Sequence, residues 1–329
     1  MAGKAEAGAV RADREQTAER LLRSTALRSY DPELEIDWSA PPVEGLAYLR
    51  EERCSLYGTP LWRTLSPEQR LELGKHEAAS VASVGIWLEF MLMRMLAKLA
   101  YNDDPTTRHV QYALAEIADE CRHSTMFAMM IERMGVPAYG PRPSVHRRGK
   151  LLPFLAHGPA MWGAVLIGEE VVDRFQREMV ADEGIQPLMR MVNRIHIVEE
   201  ARHIGFARAE LLRSVESVPR WELPYHRLLL AHIAYIVCRS LVNPAVYASV
   251  GLDPQATRLT FGFGATLHSV DGTIRVSAGK PGEMVGSKVF ASGCGAARPF
   301  QASTACVSSS KSSEAFERST ARSDRKSVV

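Results

Sequence analysis

The sequence predicts an all-α protein over roughly its first 250 residues. Apolar side chains recur there at spacings of three and four, which is the period of amphipathic helices. No segment in this region shows the sustained apolar–polar alternation that is typical of a β-strand. Proline, glycine and short polar runs divide the periodic region into separate helices.

Six helices are predicted, with ends expected to be correct to within a few residues. The sequence Asn102-Asp103-Asp104-Pro105 ends one helix and caps the next. Residues 135–153 contain four prolines and three glycines, so they form a long connection. Gly184 separates the following pair. The predicted helices are 13–28, 66–102, 106–135, 160–182, 185–214 and 223–248.

The four long central helices therefore come as two helical hairpins joined by one long crossover. This connectivity is that of a ferritin-like four-helix bundle, here with extra flanking helices. We assign residues 1–255 to this domain and residues 256–329 to an irregular, partly disordered tail. The tail is rich in glycine and serine, and residues 301–329 include nine serines. Only short strands, at 273–276 and 288–291, are candidates for regular structure there.

Composition excludes several classes of protein. The chain has 329 residues and a net charge of +2, so a nucleic-acid or anionic-membrane partner is not expected. Its five cysteines form no Cys-x-x-Cys motif, which argues against a disulfide framework and a zinc–thiolate site. The polar N-terminus contains no apolar signal segment. The scattered cysteines favour a reducing cytoplasm. We expect no membrane contact, because the most apolar segments, 85–100 and 228–242, contain charged residues.

A five-residue motif occurs twice and carries the chemistry. Asp119-Glu120-Cys121-Arg122-His123 is matched by Glu199-Glu200-Ala201-Arg202-His203. In each copy the second acid and the histidine are three residues apart, so they lie on one face of a helix. A carboxylate and an imidazole from each of two facing helices are typical of a di-iron or di-manganese bundle.

The other two central helices each offer an inward carboxylate. Glu89 is a lone acid in an apolar stripe, and an unpaired buried carboxylate costs several kcal/mol unless a cation neutralises it. Glu169 shares its helical row with apolar residues and is the inward candidate. Glu170 shares its row with charged residues and can pair with Arg174 at the surface. His196, one turn before the second motif, adds a third imidazole.

Seven residues are thus predicted to bind two metal ions, iron or else manganese, because carboxylates and imidazoles suit these ions better than zinc. They are Glu89, Glu120, His123, Glu169, His196, Glu200 and His203.

Several nearby polar residues have two interpretations. The outer residues of the motif either orient the ligands or form surface ion pairs; they are Asp119, Arg122, Glu199 and Arg202. Glu116, one turn before the first motif, either supports a ligand or is simply polar. His226 and His232 are expected to be core or surface histidines rather than ligands.

The ligand pattern resembles the p-aminobenzoate N-oxygenase family of di-iron oxygenases. The pattern is Glu89, then Glu120-x2-His123, then Glu169, then His196-x3-Glu200-x2-His203, and the resemblance covers about residues 15–255. The extra histidine four residues before the last glutamate distinguishes that family from most ferritin-like proteins. No catalytic residue beyond the metal ligands is assigned.

The resemblance implies a monooxygenase that uses O2 to convert an arylamine to hydroxylamine, nitroso or nitro products. It also implies an external electron donor or electron-transfer partner and a homodimer. In the family the C-terminal region continues as helix and helps to close the substrate pocket, with a basic residue available for an aryl carboxylate. Residues after about Gly262 depart from that pattern, so the substrate does not carry over.

Two other functions are compatible with a helical bundle. A ferritin-like iron-storage or ferroxidase protein would bind metal without a biosynthetic substrate, but the third histidine counts against it. A helical interaction protein would bind no metal, and the buried lone Glu89 counts against that.

Overall fold

In the computed structural model the protein is a bundle of long helices. The structure describes the backbone of residues 2–254, 257, 264–270, 273–279 and 286–287, and the side chains of 13–254 and 257. The chain divides into two units between Ala291 and Ser292, and all described residues belong to the first. The prediction of an all-α helical bundle is confirmed.

Six helices match the sequence prediction and four short ones lie between them. The long helices are α1 (Ala2–Leu27), α4 (Pro67–Asn102), α5 (Arg108–Met134), α8 (Gly158–Val180), α9 (Pro187–Ser217) and α10 (Leu223–Ser240). The short helices are α2 (Pro32–Glu35), α3 (Pro60–Thr64), α6 (Pro143–Gly149) and α7 (Leu152–Leu155), with 3-10 turns at Glu51–Arg53 and Pro244–Val250.

Local sequence signals set the ends of the helices that form the site. Ser66 begins α4 with a capping box, in which its side chain accepts from the Gln69 N–H and the Gln69 side chain accepts from the Ser66 N–H. Gly135 ends α5 with a φ of 67°, a conformation that favours glycine. The predicted helix 223–248 instead ends at Ser240, because Asn243 starts a new 3-10 turn at Pro244.

The bundle consists of the two predicted hairpins. Helix α4 packs along α5, and α8 packs along α9, while α5 also contacts α9. Helix α1 lies against α5 and α9, and α10 lies against α8. Buried apolar side chains fill the bundle on both sides of its polar centre, in one cluster around Phe127 and Met130 and another around Trp162 and Phe206.

Three strands follow the helices. Strand β1 (Gly264–Val270) pairs antiparallel with β2 (Thr273–Gly279), with Gly264 opposite Gly279, and β2 pairs with the short β3 (Gly286–Ser287). The predicted short strand at 273–276 therefore lies within β2. The other candidate strand, 288–291, lies outside the described residues, as does most of the tail predicted to be irregular.

Two helical segments are long and apolar enough to cross a membrane by length and composition alone. They are Pro67–Asn102 and Leu223–Val250, and 61% and 39% of their most apolar windows are buried in the protein. Helix α4 passes through the centre of the bundle, which accounts for its apolar composition without a membrane. The absence of membrane contact stays a prediction.

Candidate metal centre

All seven predicted ligands lie together at the centre of the bundle. Helix α4 supplies one, α5 two, α8 one and α9 three, and none of the seven is more than 6% exposed. Helix periodicity explains this, because residues three and four apart project from one face. Their donor atoms form two neighbouring groups: Glu120, His123, Glu200 and His203 in one, and Glu89, Glu169 and His196 in the other.

The first group comes entirely from the repeated motif. His123 Nδ1 lies 3.1 Å from Glu120 Oε2 and 3.0 Å from Glu200 Oε1. His203 Nδ1 lies 2.8 Å from Glu120 Oε1 and 3.0 Å from Glu200 Oε2. Each imidazole thus directs the same nitrogen at both carboxylates, which places four donor groups around one point.

His196, the third histidine of the ligand pattern, completes the second group. His196 Nε2 lies 3.5 Å from Glu89 Oε1 and 3.6 Å from Glu200 Oε1. Glu200 therefore contacts histidines of both groups and lies between them. A carboxylate in that position is suited to bridging two cations.

The outer acids of the motif hold the histidines of the opposite copy. His123 Nε2 donates to Glu199 Oε2 at 2.8 Å, and His203 Nε2 donates to Asp119 Oδ2 at 3.3 Å. Both bonds cross from α5 to α9. Because Nε2 of each histidine faces an outer acid, Nδ1 is the nitrogen that faces the centre and would bind a metal ion.

The arginines of the motif neutralise these outer acids. Arg122 forms an ion pair with Asp119, and Arg202 Nη2 lies 3.4 Å from Asp119 Oδ2 and 3.6 Å from Glu199 Oε1. The Tyr30 N–H also donates to Glu199 at 3.0 Å. The sequence left two roles open for these residues. In the structure the two acids orient the histidines, and their ion pairs with arginine are largely buried rather than at the surface.

Gln176 is a supporting residue that the sequence analysis missed. Its Oε1 accepts a hydrogen bond from His196 Nδ1 at 2.9 Å, and its side chain is 3% exposed. The proton on Nδ1 leaves Nε2 free to face Glu89 and Glu200. Gln176 lies seven residues after Glu169 on α8, so helix periodicity placed it on the inward face and was the available signal.

Glu116, whose role the sequence left open, is fully buried beside the centre. Within the described part of the chain, neither of its carboxylate oxygens has a hydrogen-bond partner, and the nearby Tyr112 hydroxyl has none either. Burial, together with the charges of neighbouring carboxylates, raises the pKa of Glu116 to about 8, so it is largely protonated at neutral pH.

Glu169 and Glu170 separate as predicted. Glu169 is buried, whereas the Glu170 side chain is 43% exposed. The predicted pairing of Glu170 with Arg174 is wrong, however. Glu170 instead pairs with Arg208 of α9 at 2.9 Å, and Arg174 lies 3.7 Å from Glu178. Packing of α8 on α9 brings Arg208 within reach, which no spacing along α8 reveals.

The electrostatics of the centre favour a bound cation. Burial and the surrounding carboxylates raise the pKa of Glu89 and of Glu169 well above the ordinary value. Although burial alone has the opposite effect, hydrogen bonds to carboxylates raise the pKa of His123 well above its ordinary value. Burial lowers the pKa of His196 to about 4, so this imidazole is neutral at physiological pH. The cluster therefore favours added positive charge, which either protons or metal ions can supply.

Two buried donor atoms that lack hydrogen-bond partners among the described residues also favour a bound metal. Glu89 Oε2 and His196 Nε2 are buried and have no hydrogen-bond partner in the part of the chain that the structure describes, and both residues belong to the second group of donors. An unpaired buried polar atom costs about 1–3 kcal/mol, and coordination would remove that penalty. Four carboxylates and three imidazoles with no thiolate form a donor set for iron or manganese.

An apolar pocket adjoins the second group. Its empty space of about 540 Å³ includes open solvent, and its wall includes Glu89, Glu169 and His196. Gln176 and Asn193 are its other polar groups, and the described residues that line it include no lysine or arginine. The apolar lining consists mainly of Val81, Ala82, Leu88, Phe127, Met130, Val172, Phe175, Met179 and Met189, with two glycines.

Comparison with known proteins agrees with this geometry. A family model described as "P-aminobenzoate N-oxygenase AurF" matches residues 11–262, a range that includes all four bundle helices. Uncharacterized proteins of Mycobacterium bovis and of Mycobacterium tuberculosis strain H37Rv are each 30% identical to the chain over 234 residues. The alignment covers 68% of this chain and 68% of each relative.

Proposed function

The chain belongs to the p-aminobenzoate N-oxygenase family, and on that premise we propose that it is an O2-dependent di-iron monooxygenase that oxidises the nitrogen of an aromatic amine. The observation that carries the proposal is the convergence of seven buried carboxylates and imidazoles beside an apolar pocket. The proposed products are the hydroxylamine and, after further oxidation, the nitroso or nitro compound.

Two iron ions, held by the seven residues, would supply the activation of O2. Insertion of one oxygen atom into an N–H bond, with the other released as water, consumes two electrons and two protons. The proposal therefore includes an external electron donor. Glu116 is fully buried beside the first group, where its carboxyl group is placed to hold a proton for the reaction.

The protein positions the reaction through its hydrogen-bonded supports. Asp119 and Glu199 fix the two motif histidines, and Gln176 fixes His196, so the ligand geometry is preorganised before metal arrives. The apolar lining of the pocket disfavours water beside the second group and favours contact with an aromatic ring. The absence of lysine and arginine from its described lining supports an amine whose ring bears no negative charge.

The decisive experiment combines metal analysis with labelled oxygen. Protein loaded anaerobically with ferrous iron should contain about two iron atoms per chain. With 18O2, a chemical reductant and an aniline, it should yield a hydroxylamine or nitroso product containing 18O. Well-folded protein that binds neither iron nor manganese would contradict the site assignment. Iron oxidation without any oxygenated amine would instead favour a ferroxidase or iron-storage function.

The pocket can be tested separately from the metal. Gly85 lines the pocket, and a methyl group added there would come no closer than 3.9 Å to Phe127, so Gly85→Ala should fold and bind iron normally. It should raise KM for bulky anilines by reducing the space for the ring. Gly205→Ala is the matched control on α9, since a methyl group there meets nothing within 4 Å. Equal KM values in both variants would mean that the amine binds elsewhere.

A further inference from the structure

A second cluster of metal-binding side chains lies where α8 and α10 begin. It consists of His157, Glu222 and His226, whose donor atoms are all within 4.8 Å of one another. His157 immediately precedes α8, Glu222 immediately precedes α10, and His226 lies one turn into α10. Twelve residues of α8, about 18 Å of helix, separate His157 from Glu169, so this cluster is distinct from the bundle centre.

The separations within the cluster fit a shared ion better than a hydrogen bond. Glu222 Oε2 lies 3.9 Å from His157 Nε2 and 3.7 Å from His226 Nε2, beyond hydrogen-bonding distance in both cases. Ligand bonds of about 2.0–2.2 Å place the donor atoms of a zinc ion about 3.3–3.6 Å apart. Both distances to Glu222 are within a few tenths of an ångström of that spacing, and the donor atoms of the two histidines lie within 4.8 Å of each other.

His157 is already held in the form that a ligand needs. Its Nδ1 donates to the carbonyl oxygen of Leu155 at 3.1 Å, which leaves the lone pair of Nε2 directed towards Glu222. The Tyr225 hydroxyl donates to the same carbonyl at 2.8 Å and holds the loop before α8 against α10. Metal-binding histidines commonly fix their second nitrogen through a backbone carbonyl in this way.

The buried ring nitrogens of His226 are an independent indication that this cluster binds a ligand. The His226 side chain is 2% exposed, yet neither of its ring nitrogens has a hydrogen-bond partner among the residues that the structure describes. Burial as a core histidine agrees with the sequence expectation, but packing alone does not satisfy two buried polar atoms. Burial also lowers the pKa of His226, which favours the neutral imidazole that can bind a cation.

We propose that His157, Glu222 and His226 form a zinc site that joins the start of α8 to the start of α10. Two imidazoles and one carboxylate are a common protein ligand set for zinc, with the fourth position left to water. The His157 side chain is 54% exposed and that of Glu222 is 25% exposed, so the ion and its water can enter from solvent. Bound zinc would fix the position of α10 against α8.

The test uses the full-length protein with its bundle centre already loaded with iron, so that zinc does not compete there. Isothermal titration with ZnCl2 should show one zinc per chain, and elemental analysis should show an unchanged iron content. His157→Ala removes an exposed ligand with little risk to the fold, and Glu222→Gln keeps the side-chain shape. Each should weaken zinc binding by at least about 100-fold.

The control is His232→Ala, which removes an exposed histidine from the same helix α10 and should bind zinc like the wild type. Zinc should also raise the melting temperature of the wild type and of the control, but not that of His157→Ala. Wild-type protein that binds no zinc beyond its iron content would overturn the proposal. Equal zinc affinity in His157→Ala and the wild type would overturn it as well.

Discussion

The crossed hydrogen bonds of the repeated motif predict a specific loss of metal when either outer acid is neutralised. Asp119→Asn and Glu199→Gln each keep an oxygen acceptor but remove the charge that holds a histidine of the opposite helix, at 3.3 Å and 2.8 Å respectively. Loss of such a support typically lowers metal affinity about 10–100-fold, or about 1.4–2.7 kcal/mol. Glu199→Gln should have the larger effect, because its bond to His123 is the shorter.

The loss should be confined to one of the two ions. Both outer acids support histidines of the first group, whereas His196 of the second group is held by Gln176. At limiting ferrous iron we therefore expect each variant to retain close to one tightly bound ion and to bind the other weakly. Elemental analysis after desalting and anaerobic titration calorimetry measure the two affinities.

The matched control is Glu170→Gln, which also neutralises a glutamate of a bundle helix but at an exposed position paired with Arg208. It should bind two ions like the wild type. Circular dichroism checks that all three variants keep wild-type helical content. Well-folded Asp119→Asn and Glu199→Gln proteins with two ions at wild-type affinity would refute the reasoning from the crossed bonds.

Three further predictions follow from the same centre. In metal-free protein the pKa of Glu116 is about 8, and the pKa values of the two motif histidines are raised. Between pH 6.5 and 8 the folded state therefore binds more protons than the unfolded chain. In EDTA the free energy of unfolding should therefore fall as the pH rises through this range, by up to about 1.4 kcal/mol per pH unit for each such proton. A melting temperature that rises with pH would contradict this. Glu169→Ala should abolish amine oxidation and lower the iron content. Glu170→Ala should change the free energy of unfolding by less than about 1 kcal/mol and leave turnover intact. The reverse pattern in iron analysis and product assays would mean that the roles of the two residues are exchanged. His196→Ala should fold and keep part of its iron but lose the visible absorption that forms when the reduced protein meets O2, so undiminished N-oxygenation by this variant would exclude it as a ligand.

The inward faces of the helices followed from the sequence because helix geometry is local. Residues three and four apart share a face, so Glu120 with His123, and Glu200 with His203, were paired before any contact between helices was known. The same rule separated Glu169 from Glu170. Breakers such as Gly135 marked the ends of helices for an equally local reason, the backbone conformation that they permit.

The contacts between helices were decided by tertiary packing. Asp119 and His203 are 84 residues apart and meet only because α5 lies against α9. Gln176 reaches His196, and Glu170 reaches Arg208, through the packing of α8 on α9. The spacing of residues within one helix specifies a face, but not which residue of another helix lies opposite.

The cluster of His157, Glu222 and His226 could not be predicted from spacing along the sequence. Its members come from the starts of two helices that are far apart in the sequence, and no short motif connects His157 to the other two. Periodicity along each helix therefore determined which residues face inward. The rotation and depth at which the helices dock, which are set by the shapes of their side chains across the whole interface, decided which of those residues touch.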